Sequence, residues 1–93
     1  MTSYTEGFSR DGEAIRAALD GNWEKALELN QSLLQDSPEH IPTLNRLARC
    51  YSQLGNDELA GSTYEKVLSL DKFNLIAKKN CALLKEGHCV PSG

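Results

Sequence analysis

The sequence predicts an all-α fold, a stack of five helices in antiparallel succession. Three observations carry that reading. The first is a period of 34 residues: Gly21 recurs as Gly55, Asn22 as Asn56, Glu24 as Glu58 and Ala26 as Ala60. Leu33-Leu34 recurs as Val67-Leu68, and Ala14 recurs as Ala48 and again as Ala82. A fixed period in the range of about 20–50 residues marks stacked supersecondary units. The second is a stripe of Leu44, Leu47, Ala48, Tyr51 and Leu54 at helical spacing. The third is punctuation: Gly-Asn stands at the same place in each period, where one helix must stop and the next begin.

Each element can be justified in turn. Residues 1–9 are polar and read as a flexible lead-in. The first helix is expected at about 10–20, with Ala14, Ile15, Ala17, Ala18 and Leu19 on its apolar side. Gly21 can take the left-handed conformation that ends it, and Asn22 can cap the next. Helix two, about 23–36, carries Trp23, Ala26, Leu27, Leu33 and Leu34, and Ser37-Pro38 breaks it. Helix three starts near His40–Thr43, where Pro42 is tolerated because first-turn N–H groups have no helical partner. Gly55 ends it. Helix four, about 57–70, packs through Leu59, Ala60, Tyr64, Val67 and Leu68. Helix five, about 75–86, carries Ile76, Ala77, Cys81, Leu83 and Leu84; Gly87 stops it, and 87–93 read as a flexible tail.

At 93 residues the chain makes one small domain with a thin core. The net charge of −3 is uneven: residues 1–40 sum to −5 and residues 41–93 to +2. That mild polarity lacks the basic footprint of a nucleic-acid binder. Lys78, Lys79, Lys85, Arg46 and Arg49 could attract an anion, but Glu65 and Asp71 offset the neighbouring lysines and few aromatics are left to stack on bases. Three cysteines without CxxC spacing point to free thiols and a reducing compartment, with Cys50 and Cys81 inside packing stripes. His88-Cys89 supplies two ligands in a tail, too few for a zinc site. No signal peptide or bilayer-spanning run is visible, so the expected location is cytoplasmic, with no membrane contact. There is no phosphate loop and no nucleophile–base pattern, and the expectation is a non-enzyme without cofactor or metal.

Leu44-x2-Leu47-Ala48-x2-Tyr51, then Gly55, Ala60-x3-Tyr64 and Val67, resembles the tetratricopeptide repeat. Residues 41–74 match one full repeat, with Lys72 where a proline usually closes the unit. Residues 7–40 match in Gly21-Asn22-Trp23-Glu24-Lys25-Ala26-Leu27 and in Pro38. Their first half is degenerate: Asp11, Gly12 and Glu13 replace small or apolar residues, and Asn30 stands where an aromatic is usual. Residues 75–86 form only a closing helix, making a domain of about two and a half repeats over 10–86. Leu44-Asn45-Arg46-Leu47 and the string 74–80 are also similar to small bacterial two-repeat modules that precede another domain. The chain is then expected to be a piece of a longer protein.

The resemblance implies a right-handed superhelical stack. It also implies a scaffold or adaptor that binds an extended peptide or partner helix in a concave groove lined by the first helix of each pair. Asn45 and Arg49 are neighbours on one helix face. Lys79 follows Asn45 by one period, and Ser52 completes the face. These four are the expected peptide-binding residues, on one exposed surface suited to an acidic partner. Some members clamp a terminal carboxylate with Lys, Asn and Arg there. Here the match is partial, since Asp11 and Ile15 hold the equivalent places in the preceding unit. The alternative is self-assembly through the ends: Ile76, Leu83 and Leu84 exceed what one packed side of helix five needs, and Ile15 and Leu19 stand at the other end.

Overall fold

The computed structural model describes residues 2–89, with side chains described for 11–84. Within them the chain is all-α: α1 (Thr2–Leu19), α2 (Trp23–Asp36), α3 (Ile41–Gln53), α4 (Asp57–Leu70) and α5 (Leu75–Cys89). Two boundaries differ from expectation. α1 starts at Thr2 instead of near residue 10, since residues 2–9 contain no proline to stop it. α5 runs through Gly87, because a glycine weakens a helix by about 1 kcal/mol without forbidding it. The metal reading of His88-Cys89 and the role of Lys85 lie outside the described side chains, and residue 1 and the last part of the tail, 90–93, lie outside the described residues.

The repeated Gly-Asn pairs build the same turn twice. Gly21 and Gly55 hold φ at 79° and 86°, the left-handed region that a side chain rarely enters. Gly21 N–H donates to Ala18 O and Asn22 N–H to Ala17 O. Gly55 N–H donates to Ser52 O and Asn56 N–H to Tyr51 O. This doubled bond closes the last turn and uses up two orphan carbonyls. The asparagine side chain then starts the next helix: Asn22 Oδ1 accepts from Lys25 N at 3.3 Å, and Asn56 Oδ1 from Leu59 N at 3.2 Å. At the start of α3, His40 Nδ1 lies 2.7 Å from Thr43 Oγ1, so its ring supports the turn.

Each helix packs on its neighbours in sequence, α1 on α2, α2 on α3, α3 on α4 and α4 on α5. Two cores result. One joins Leu44 and Ala48 of α3, Tyr64 and Val67 of α4, and Ala77 of α5, with Leu34, Ile41, Leu68, Cys81 and Leu84 against it. The other joins Ala17, Ala26 and Cys50, with Ala18, Trp23, Leu27 and Leu29 against it. Ala14, Ala26, Ala48, Ala60 and Ala77 are wholly buried, which lets helices approach closely. Cys50 is buried as expected. Cys81 is only half-buried, because α5 is covered by α4 on one side alone.

Candidate functional site

A pocket of about 420 Å³ opens between α3 and α5. Its wall on α3 is Ile41, Pro42, Asn45, Arg46 and Arg49; its wall on α5 is Ile76 and Asn80, with Tyr64 and Asn74 between them. The volume is within the range of sites that hold a few side chains of a ligand. The walls are apolar, with a small set of convergent amides and guanidinium groups.

Asn45 is buried, at 8% exposure, where the sequence led us to expect a surface residue. The reason is the connector that follows α4. Asn74 caps α5 by accepting from Ala77 N at 3.0 Å, and Asn45 Nδ2 donates to that same Asn74 Oδ1 at 3.3 Å. The bond draws Asn45 inward. Asn45 Oδ1 is left buried with no hydrogen-bond partner among the described residues. Burial holds the Tyr64 phenol above its ordinary pKa, against the pull of the Arg49 charge, so the ring lines the pocket in its neutral form.

Arg46 and Arg49 differ sharply. Arg46 points back toward the first unit. Its Nε donates to Asn30 Oδ1 at 3.1 Å, and its Nη2 donates to Thr43 Oγ1 at 3.2 Å and to the Asp11 carboxylate. Asn30, wholly buried, donates Nδ2 to Ala26 O at 2.8 Å and makes a long contact to Cys50 Sγ. Desolvation raises the Cys50 thiol pKa, outweighing the opposing Asn30 hydrogen bond and the Arg46 and Arg49 charges. Sequence reasoning missed this network. Its signal was the pair of departures, Asp11 and Asn30, in one degenerate unit. Arg49 has no carboxylate partner among the described residues; it lies exposed, its guanidinium carbon 5.7 Å from the Trp23 ring centroid.

Of the other expected groove residues, Lys79 is exposed and does not line the pocket. Asn80, about 100° further round α5, does. Ser52 is half-buried and is also outside the lining. At the end of the stack Ile76 and Leu83 are exposed at 55% and 53%, beside Phe73 and Leu75 at 72% and 79%. Leu84 instead packs against the core. Ile15 and Leu19 are exposed at the other end.

Paired helices repeating at fixed spacing, with a pocket between successive first helices, define a helical-repeat module. A family model for the tetratricopeptide repeat matches residues 17–78, and the chain belongs to that family. The match begins at the end of α1, beyond the degenerate Asp11-Gly12-Glu13. No curated protein matches the chain. Such repeats are in general protein–protein interaction modules. Among the described residues no helix is long and apolar enough to cross a membrane.

Proposed function

We propose that the chain is a non-enzymatic protein-interaction module, a scaffold or adaptor that takes an acidic, extended peptide segment into the groove between α3 and α5. The observation that carries this is the pocket itself, with an exposed Arg49 that no carboxylate holds among the described residues. In the right-handed superhelix expected of the family, α3 and α5 share the concave side. Asn45 and Arg49 are its inner residues, and Lys79 and Ser52 would meet a ligand longer than the pocket. Asp11 is tied to Arg46, which removes it from any clamp for a terminal carboxylate. Among the described residues neither Cys50 nor Cys81 is in a disulfide, which suits a reducing, cytoplasmic setting.

The test is a library of capped heptapeptides combining aspartate or glutamate with leucine or valine, titrated against the sole tryptophan, Trp23. Because Arg49 lies over that ring, an acid that draws Arg49 away should change the emission. Failure of every heptapeptide to bind would remove the groove reading. A second reading, self-association through α5, is favoured by the exposed Phe73, Leu75, Ile76 and Leu83. Sedimentation over a concentration series decides it: a dimer lost in Leu83→Glu supports that reading, and a monomer throughout excludes it.

A further inference from the structure

Ala14, Ala48 and Ala82 stand one period apart, yet the last is exposed. Ala14 and Ala48 are wholly buried, on the first helices of the pairs α1–α2 and α3–α4. α5 packs on α4 and has no second helix of its own among the described residues. Ala77, Cys81 and Leu84 turn toward the core. With each residue about 100° further round the helix, Leu75, Lys79, Ala82 and Leu83 fall on the other, exposed side. The outer face of α1 is built alike. Gly12, Ile15 and Leu19 form one exposed stripe at helical spacing, with Leu19 at 81%. A side chain added at Gly12 would meet nothing within 4 Å, so another helix can approach the backbone there. The two faces differ in charge. Glu13 and Asp20 flank the α1 stripe against Arg16, while Asp11 is already held by Arg46. Lys78 and Lys79 stand at the α5 face, and Lys72 precedes it. Among the described residues no carboxylate pairs with Lys78 or Lys79, and no cation pairs with Glu13 or Asp20.

We propose that copies of this chain dock head to tail, the outer face of α5 receiving the outer face of α1 of the next copy. This rests on the self-association reading above and gives it a direction. Joining α5 to α5 would set Lys78 and Lys79 of both copies together. Joining α1 to α1 would do the same with Glu13 and Asp20. The mixed joint alone sets cations against carboxylates, and it covers Leu19 of one copy with Leu75 and Leu83 of the other. Gly12 and Ala82 are the small residues at which the two helices can cross closely, as Ala48 and Ala60 allow within the chain. A joint between two different surfaces leaves one face of each kind free, so copies add in line or close into a ring.

The experiment spoils one face at a time. Leu19→Glu leaves the α5 face intact, and Leu83→Glu leaves the α1 face intact; both side chains are exposed, so neither change should move the melting temperature. In sedimentation the native chain should show a mass that keeps rising with concentration. Each variant alone should associate about tenfold or more weakly. An equal mixture of the two should form a one-to-one dimer that grows no further, because each supplies the face the other lacks. Should a leucine variant not fold, a charge exchange gives a second readout. Lys79→Glu and Glu13→Lys should each weaken association about tenfold, and mixing them should restore growth. If Leu19→Glu dimerises by itself while Leu83→Glu does not, α5 joins α5, and head-to-tail docking is overturned while self-association stands. A mixture that stays monomeric where the native chain assembles overturns it as well. If the native chain is monomeric at millimolar concentration, both fall together.

Discussion

Residues 30 and 64 are one period apart and hold equivalent places in the two units, yet one is asparagine and the other tyrosine. Both are buried. Tyr64 fills its place by packing against Leu44, Ala48, Val67 and Ala77. Asn30 fills its place with directed bonds, to Ala26 O, to Arg46 Nε and toward Cys50 Sγ. The helix turns on either side are the same, Gly-Asn in the same geometry with the same doubled bond. A repeat backbone therefore tolerates two different kinds of centre. The difference has a consequence for the surface. The polar centre engages Arg46 and Asp11, and the apolar centre leaves Arg49 at the pocket with no carboxylate partner among the described residues, over the Trp23 ring.

The largest test of this contrast is Tyr64→Ala. It empties a packed site and should lower unfolding stability by about 3–5 kcal/mol, measured by urea denaturation. Ala48→Leu follows. It overpacks the crossing of α3 with α4 and should remove about 1–3 kcal/mol, and a value near zero would mean that the crossing is not tight. At the polar centre, Arg46→Ala leaves Asn30 Oδ1 buried without its donor and should remove a similar amount, about 1–3 kcal/mol. What separates the centres is the rescue. Asn30→Leu combined with Arg46→Met takes away both partners and should recover much of the loss, whereas no second polar change should rescue Tyr64→Ala.

The smallest effect is on pH. Cys50 and Tyr64 both hold their protons more firmly in the fold, because burial disfavours their anions. Below the ordinary values of 9.0 and 10.0 both are neutral in either state and pH has no effect through them. Above those values the unfolded chain loses protons first, so stability should fall as pH rises. Thermal melts between neutral and alkaline pH check the direction, and Cys50→Ala should remove the thiol's share.

Most of the fold was legible because it rests on period and punctuation. Gly21, Asn22, Gly55 and Asn56 are local signals, and each acts within a few residues of itself. The start of α1 was not legible, since polar residues without a breaker can be helix or coil. The site was only partly legible. The 34-residue relation brought α5 opposite Asn45, but a helix face turns by about 100° per residue, and Asn80 lines the pocket where Lys79 was expected. The inward pull on Asn45 depends on Asn74, a residue of the connector that no helical pattern singles out. Arg46 and Arg49 look alike in sequence; only the distant Asp11 and Asn30 tell them apart.

That separation of two arginines on one helix is the centre of the account. The direct measurement is melting temperature and affinity for the strongest heptapeptide, taken side by side for Arg46→Ala and Arg49→Ala. Arg46→Ala should lower the melting temperature. Arg49→Ala should leave it within experimental scatter and weaken the peptide by about 1–3 kcal/mol, the range for losing a hydrogen bond to a charged group. The reverse pattern, with Arg49→Ala destabilising the fold and peptide affinity untouched, would contradict it.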